Sequence, residues 1–224
     1  MRGLFYSVGT GPGDPKLITY KAVEVIRSCD IIALPNSGSS ETAVLKIVEE
    51  HIKDKTIIYC DMPMIRDKEE LSRCHQASAD ALSKFLDHGK NVAFLTLGDP
   101  TIYSTTMYVH QKLQAMGYDT EVIPGVPSFC AVGAKLNIPL CEGGEPLHII
   151  PASYQDVEHA LESSGNKVLM KSGKSIGKIK ELIQKDSKAQ AVECCGMENE
   201  KVHHTLDTID ENSSYFSVIV VKEK

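Results

Sequence analysis

No apolar run in this 224-residue sequence reaches the ~20 residues that a membrane-spanning helix requires, so no membrane partner is expected. The opening residues Met1-Arg2-Gly3-Leu4-Phe5-Tyr6 enter a strand-like run without the apolar segment and cleavage site of a secretory signal. A cytoplasmic location is expected from that. Positive charge is also short: 24 Lys and Arg stand against 30 Asp and Glu, for a net charge of −6, and the basic residues are scattered. That argues against nucleic acid as a partner. Seven cysteines, an odd number without framework spacing, read as free thiols in a reducing compartment. Cys194-Cys195 lacks the C-x-x-C spacing of a metal pair and reads as two buried small residues. No zinc or iron site is expected, and no protein-bound metal. His203-His204 is expected in a surface turn, and His148 in a strand at the core or an edge. There is no internal repeat, low-complexity segment or block of like charge. No Ser/His/Asp or Cys/His constellation stands out, so no catalytic residue is named from pattern.

What is present is a chain of 42% hydrophobic residues, enough for an ordinary core. Strands are expected at 4–8, 31–34, 56–59, 92–97 and 120–123, with helices at 16–28, from Ser40 or Glu41, 67–88, 105–116 and 129–136. Pro35-Asn36-Ser37-Gly38 closes the second strand. The long helix carries Leu71, Ala77, Ala81, Leu82 and Phe85 as its buried stripe. Strands alternating with helices predict a parallel sheet with right-handed crossovers. The aperiodic stretch Ile138 to Pro146, rich in Gly and Pro, marks a boundary. The expected organisation is therefore an α/β domain over 1–137, a linker over 138–147 and a second α/β domain over 148–224. In the latter, strands are expected at 147–150, 167–170, 190–193 and 216–221, with helices near 156–162 and 176–184.

The chain is organised around Val92 to Ser104. Apolar residues fill both alternating sets of Val92 to Leu97, as in a strand buried on both faces. Gly98-Asp99-Pro100 stops it, and Ser104 can cap the next helix. In an open α/β sheet, ligands bind at the carboxyl end of such a strand, so the active site is expected around Gly98 to Ser104.

Two loops imitate phosphate sites. Gly9-Thr10-Gly11-Pro12-Gly13 lacks G-x-G-x-x-G spacing, Pro12 has no N–H, and Asp14 places negative charge where a phosphate would sit. The loop suits a ligand without phosphate, or a tight structural turn. Lys171-Ser172-Gly173-Lys174-Ser175 ends like a P-loop, but Val168 occupies the position of its first glycine. Its lysines are read as facing solvent or an anionic substrate.

Three segments in order, Val8 to Pro15 with Leu17-Ile18-Thr19, Leu97 to Tyr103 and Ile123 to Ser128, resemble the tetrapyrrole methylase superfamily. Gly98 to Thr105 together with Pro124 to Ala131 looks most like its precorrin-2 and cobalt-factor II C20-methyltransferases. Pro127 departs from the pattern, since relatives often carry Thr there. The resemblance implies a class III methyltransferase: two α/β domains, with S-adenosylmethionine in a cleft between them, and a homodimer. It implies cofactor contacts at Pro12, Leu97, Gly98, Asp99, Ile102, Tyr103, Pro127, Ser128 and Met170. A further backbone contact falls at Cys195 or Gly196, one residue apart. Asp99 and Tyr103 are also considered for loss of the meso proton, against plainer roles as turn residue and cleft wall. A polycarboxylate macrocycle bound to an acidic protein needs a local basic patch, for which Lys171 and Lys174 are the expected residues. The alternatives are another reaction of the superfamily (a different corrin-ring methylase, uroporphyrinogen methylation or diphthine synthesis) or a non-catalytic adenosine-nucleotide-binding module.

Overall fold

The computed structural model describes residues 1–36, 39–63, 65, 67–153, 157–183, 188–210 and 213–223, with only the backbone of 39–41 and 174. The chain divides into two compact units, Met1–Pro127 and Ser128–Lys224. This differs from the expected boundary at 138–147. The helix Ser128–Leu136 belongs with the second unit because it packs on that unit's sheet. Each unit is an α/β layer structure, as expected.

The first unit runs β1 (Phe5–Gly9), α1 (Tyr20–Ser28), β2 (Ile31–Asn36), α2 (Ser39–Val48), β3 (Thr56–Asp61), α3 (Lys68–Asp87), β4 (Val92–Thr96), α4 (Thr106–Ala115) and β5 (Thr120–Ile123). Its five strands are all parallel in the order β3-β2-β4-β1-β5. Every residue of β4 is buried, as its two-sided apolar run requires. Side-chain alternation splits the core. Val8, Ile32, Leu34, Ala93 and Leu95 pack with α1 and α2. Phe5, Ile31, Ala33, Val92 and Phe94 pack with α3 and α4.

Several local boundaries differ from the periodicity. The helical pattern from Lys16 is broken: residues Pro15–Leu17 form a 3₁₀ turn, and α1 starts only after Thr19, whose Oγ1 accepts from Ala22 N at 3.2 Å. Asp14 takes the first turn away by accepting from Lys16 N at 2.9 Å. β2 continues through Pro35 and Asn36, while Ser37 and Gly38 lie outside the described residues. In α3, Ala77 and Ala81 are exposed, and the buried face is His75, Ser78, Ala79, Leu82, Ser83 and Leu86. That face has helical i, i+3, i+4 spacing, but three of its members are polar, so an apolar stripe misplaces it. Ser104 Oγ accepts from Thr106 N at 3.3 Å, although Thr105 is the residue at the N-cap position.

The second unit runs α5 (Ser128–Leu136), β6 (Leu147–Pro151), α6 (Val157–Glu162), β7 (Asn166–Met170), α7 (Ile176–Leu182), β8 (Lys188–Glu193), β9 (Lys201–His203) and β10 (Ser217–Lys222). Strand order is β6-β7-β10-β8-β9. β6 and β7 are parallel; β10 runs antiparallel to both β7 and β8, and β9 antiparallel to β8. Ile150, Val157, Leu169, Ile176, Ile179, Ala191 and Ile219 form its main core. β9 has no counterpart in the sequence reading, which placed His203 in a surface turn. His203 is buried there, its Nε2 2.8 Å from Glu193 Oε1 and its Nδ1 3.0 Å from Thr208 Oγ1. Three residues carry too short an alternation to read as a strand.

Candidate functional site

The first unit's topology defines where a ligand can sit. The chain leaves β1 toward β2 on one side of the sheet and leaves β4 toward β5 on the other, and β1 and β4 are neighbours. Their carboxyl ends therefore flank a topological switch point, the place where open α/β sheets bind ligands. The β1 loop, the β4 loop and the β5 loop converge there.

Glycine makes that convergence possible. Gly11 and Gly98 form an antiparallel bridge, with Gly98 N donating to Gly11 O at 2.7 Å. Gly98 has φ 74°, a conformation open to glycine at little cost. A Cβ at Gly125 would lie 2.2 Å from Gly98 O and 2.8 Å from Gly9 C; a Cβ at Gly9 would lie 2.6 Å from Gly98 O. Any side chain at Gly9 or Gly125 would separate the three loops.

Asp99 ties the loops by hydrogen bonds. It is 8% exposed. Its Oδ1 accepts from Thr101 N at 2.8 Å and from Thr101 Oγ1, and its Oδ2 accepts from Gly125 N at 2.9 Å. Both oxygens are thus engaged in holding β4's loop to β5's loop. Thr10 closes the assembly from β1, with N–H and Oγ1 both donating to Thr96 O at 2.9 and 3.0 Å.

Of the expected residues in this unit, Pro12 and Gly98 are buried in the cluster, and Leu97, Ile102 and Pro127 are half-buried. Tyr103 is 45% exposed and has φ 50°, a left-handed conformation that L residues adopt at a cost. The structure brings the loops of Pro12, Leu97 to Tyr103 and Gly125 together.

The remaining expected residues lie in the second unit. Ser128 is the first residue of α5. Met170 ends β7, is 9% exposed, and its carbonyl accepts from Ala152 N at 2.9 Å. Lys171 follows with φ 59°, its Nζ 5.8 Å from the centre of the Tyr215 ring. Burial pulls its ammonium pKa below the ordinary lysine value. It is half-buried. Lys174 lies in a 3₁₀ turn, and its side chain is outside the described residues. After β8, Cys194 takes φ 49° and Gly196 φ 79°. Gly196 N donates to Glu200 Oε2 at 2.8 Å. Burial, followed by the nearby Glu200 charge, pushes the Cys195 thiol up to about 11.

Cys194 and Cys195 are both buried and free. His148 lies on the edge strand β6, its Nε2 2.8 Å from Ser164 O. Among the described residues, no group of three or more His, Cys, Asp or Glu could hold a metal. No described helix is long and apolar enough to cross a membrane. Sequence reasoning missed the Gly9–Gly98–Gly125 interlock. Its one signal was a glycine within three residues of each of these strand ends.

The loop after β1 is poorly suited to a phosphate. Pro12 has no N–H, Gly11 N donates to Gly98 O at 3.3 Å, and Asp14 is turned to its own 3₁₀ turn. The loop offers no run of free N–H groups for a pyrophosphate.

Comparison with known proteins finds relatives over nearly the whole chain. A family model described as Tetrapyrrole (Corrin/Porphyrin) Methylases matches residues 4–210. A protein of Methanocaldococcus jannaschii named probable cobalt-precorrin-2 C(20)-methyltransferase is 36% identical, over 97% of this chain and 95% of the relative. The cobalt-precorrin-2 C(20)-methyltransferase of Salmonella typhimurium is 31% identical, over 100% of this chain and 98% of its own length. In fold, the chain is similar to the uroporphyrin-III C-methyl transferase of Thermus thermophilus, solved in complex with S-adenosyl homocysteine. The TM-score there is 0.72 at 22% identity, covering 99% of this chain and 98% of that one.

Proposed function

The chain belongs to the tetrapyrrole (corrin/porphyrin) methylase family, and from that membership we propose that it methylates C20 of precorrin-2 or its cobalt-bearing counterpart in cobalamin biosynthesis. S-adenosylmethionine is the proposed methyl donor. The observation that carries this reading is the near end-to-end match to two relatives named as C20-methyltransferases. Both names specify cobalt-precorrin-2, so the cobalt-bearing substrate is the first to test. The site is proposed to work in a homodimer.

A sulfonium donor supplies an already electrophilic methyl group, so this chain's residues need mainly to align and desolvate. Alignment alone is worth about 7–11 kcal/mol in favourable cases. The interlocked loops provide a rigid wall for it. In this proposal the cofactor lies against Pro12, Leu97, Gly98, Asp99, Ile102, Tyr103 and Pro127. Ser128, Met170 and the Cys195-Gly196 turn are proposed as further contacts. Because Gly196 N already donates to Glu200, Cys195 is the better candidate for a backbone donor. Asp99, with both oxygens engaged, holds the loops and is a poor candidate for a base. Lys171 and Lys174 are proposed to meet substrate carboxylates.

The direct test is transfer of labelled methyl from S-adenosylmethionine to cobalt-factor II and to precorrin-2. One added methyl on either supports the reading; transfer to neither refutes it. S-adenosylhomocysteine should raise the melting temperature by mass action while NAD should not. Ile102→Ala should weaken S-adenosylhomocysteine about tenfold through lost apolar contact. Light scattering reads the dimer.

A further inference from the structure

Two segments of the second unit are stitched together at the carboxyl end of β7. Ser172 Oγ donates to Ser217 O at 3.1 Å, and Ser172 N lies 3.5 Å from the same oxygen. A Cβ at Gly173 would stand 2.7 Å from both Ser213 O and Ser214 O, so these backbones touch with no room between them. Ser217 Oγ donates to Ser214 O at 2.6 Å and lies 3.0 Å from Ser213 Oγ. Cys194 N, from β8, donates to Phe216 O at 3.2 Å. Tyr215 therefore sits on a segment held from β7 and from β8.

Lys171 stands at the head of the first segment. Its φ of 59° is a conformation that a non-glycine residue keeps only where its surroundings impose it. Its Nζ lies 5.8 Å from the Tyr215 ring centre, within the range of a cation–π contact. The Tyr215 ring is in turn buttressed edge-on by Phe216, centroids 5.6 Å apart at 75°. A free lysine spreads its charge over many rotamers; this one has its backbone and its ammonium both located. Burial has already removed part of its water, so an arriving carboxylate displaces less solvent.

We propose that Lys171, held over the Tyr215 ring, is a pre-organised subsite for one carboxylate of the polycarboxylate substrate, with Tyr215 as its positioning residue. This rests on the proposed methyltransferase reading and deepens it: of the two expected lysines, it assigns the contact to Lys171 and adds a residue that no motif marked.

The test uses the full-length enzyme and a double-mutant cycle. Lys171→Asn removes the charge with a residue that tolerates the left-handed backbone. It should raise the macrocycle KM about fivefold and flatten its salt dependence, leaving kcat and S-adenosylhomocysteine affinity unchanged. Tyr215→Leu should reproduce that pattern, and Tyr215→Phe, which keeps the ring, should restore the parent KM. In the Lys171→Asn background, Tyr215→Leu should add nothing. An unchanged KM and salt slope in Lys171→Asn overturns the proposal, as does a Tyr215→Leu effect that persists without the lysine. Unchanged S-adenosylhomocysteine affinity verifies that each variant is folded. Fluorescence titration with uroporphyrin, an octacarboxylate macrocycle, reads the subsite without turnover. Salt-sensitive binding that weakens in Lys171→Asn supports it, and equal binding overturns it. Absence of methyl transfer by the parent enzyme would instead strike the functional reading, so the two failures are separable.

Discussion

The two units differ in the residue that first turns the chain beyond a strand end. In the first unit, the loops after β1, β4 and β5 meet through Gly9, Gly11, Gly98 and Gly125, and backbone lies directly on backbone. In the second, the first left-handed residues after β7 and β8 are Lys171 and Cys194, at φ 59° and 49°, with Gly196 following Cys194 at φ 79°. Glycine turns at little conformational cost and leaves no side chain behind. Lysine and cysteine turn against strain, and their side chains stay where the strain places them. The first arrangement makes a smooth wall of peptide groups; the second presents specific chemical groups.

The sharpest way to break this contrast is to put a side chain into the interlock. Gly125→Ala should lose about 3 kcal/mol or more in urea unfolding, as overpacking against rigid backbone does. The Cβ would meet Gly98 O at 2.2 Å, and no flexible side chain there can yield. A loss below about 0.5 kcal/mol, the size of a surface change, would show that the loops are not locked together.

The second unit's counterpart is a polar lock. Glu193 accepts from Ser214 N at 3.1 Å and meets His203 Nε2 at 2.8 Å, both side chains being buried. Glu193→Ala leaves the buried His203 and the half-buried Ser214 N–H without this partner and should lose about 1–3 kcal/mol. His203→Ala in the Glu193→Ala background should then lose less than it does alone. Additive losses from the two changes would contradict the lock.

A smaller effect separates the units by pH. Burial holds the imidazole of His110 below the ordinary histidine value, and burial followed by the charge of Lys112 does the same to His75. His110 sits between Ser7 Oγ at 3.0 Å and Thr120 Oγ1 at 3.1 Å. The unfolded chain then binds protons that the folded first unit does not. This contribution is present above the unfolded value of about 6.5 and is lost as pH falls below it. His110→Gln should flatten the stability profile between pH 7 and 5. A profile as steep as the parent's would mean that His110 titrates alike folded and unfolded.

The smallest expected change is a gain. Asn137 closes α5 at φ 55°, with Asn137 N donating to Ala134 O and Ile138 N to Gly133 O, both at 3.1 Å. These bonds form a Schellman cap, whose left-handed position favours glycine. Asn137→Gly should raise stability by at most about 1 kcal/mol in thermal unfolding, because relief of the left-handed cost exceeds the added freedom of the unfolded chain. A destabilised variant would mean that strain at non-glycine turns is not the general state of the second unit.

The same contrast governs what could be read before folding. The strand–helix alternation of 1–136 was legible because most strands are runs of apolar residues and the loops after β1, β2, β4 and β5 carry Gly or Pro. β4 was legible in full, since burial on both faces leaves no polar gap. The second unit was read less well. β9 is three residues long, Lys171 and Cys194 carry no turn signal, and Tyr215 lies in no motif. Polar burial was least legible anywhere: His203, and the Ser and His face of α3, count as surface on any apolar scale, yet His203 is buried against Glu193 and Thr208, and His75 is buried stacked on Tyr108 of α4.

By itself, the sequence determined the alternating architecture, the position of the β4 loop and the family, because these follow from residue patterns local in the chain. Only the tertiary structure decided that β1 and β4 are neighbours leaving in opposite directions, which puts the switch point at Gly11 and Gly98. It alone decided that Asp99 reaches Gly125, 26 residues away, and that Lys171 lies over Tyr215. Strand order and cross-chain partners depend on which surfaces bury each other best, and that free energy is a property of pairs of segments that no single segment carries.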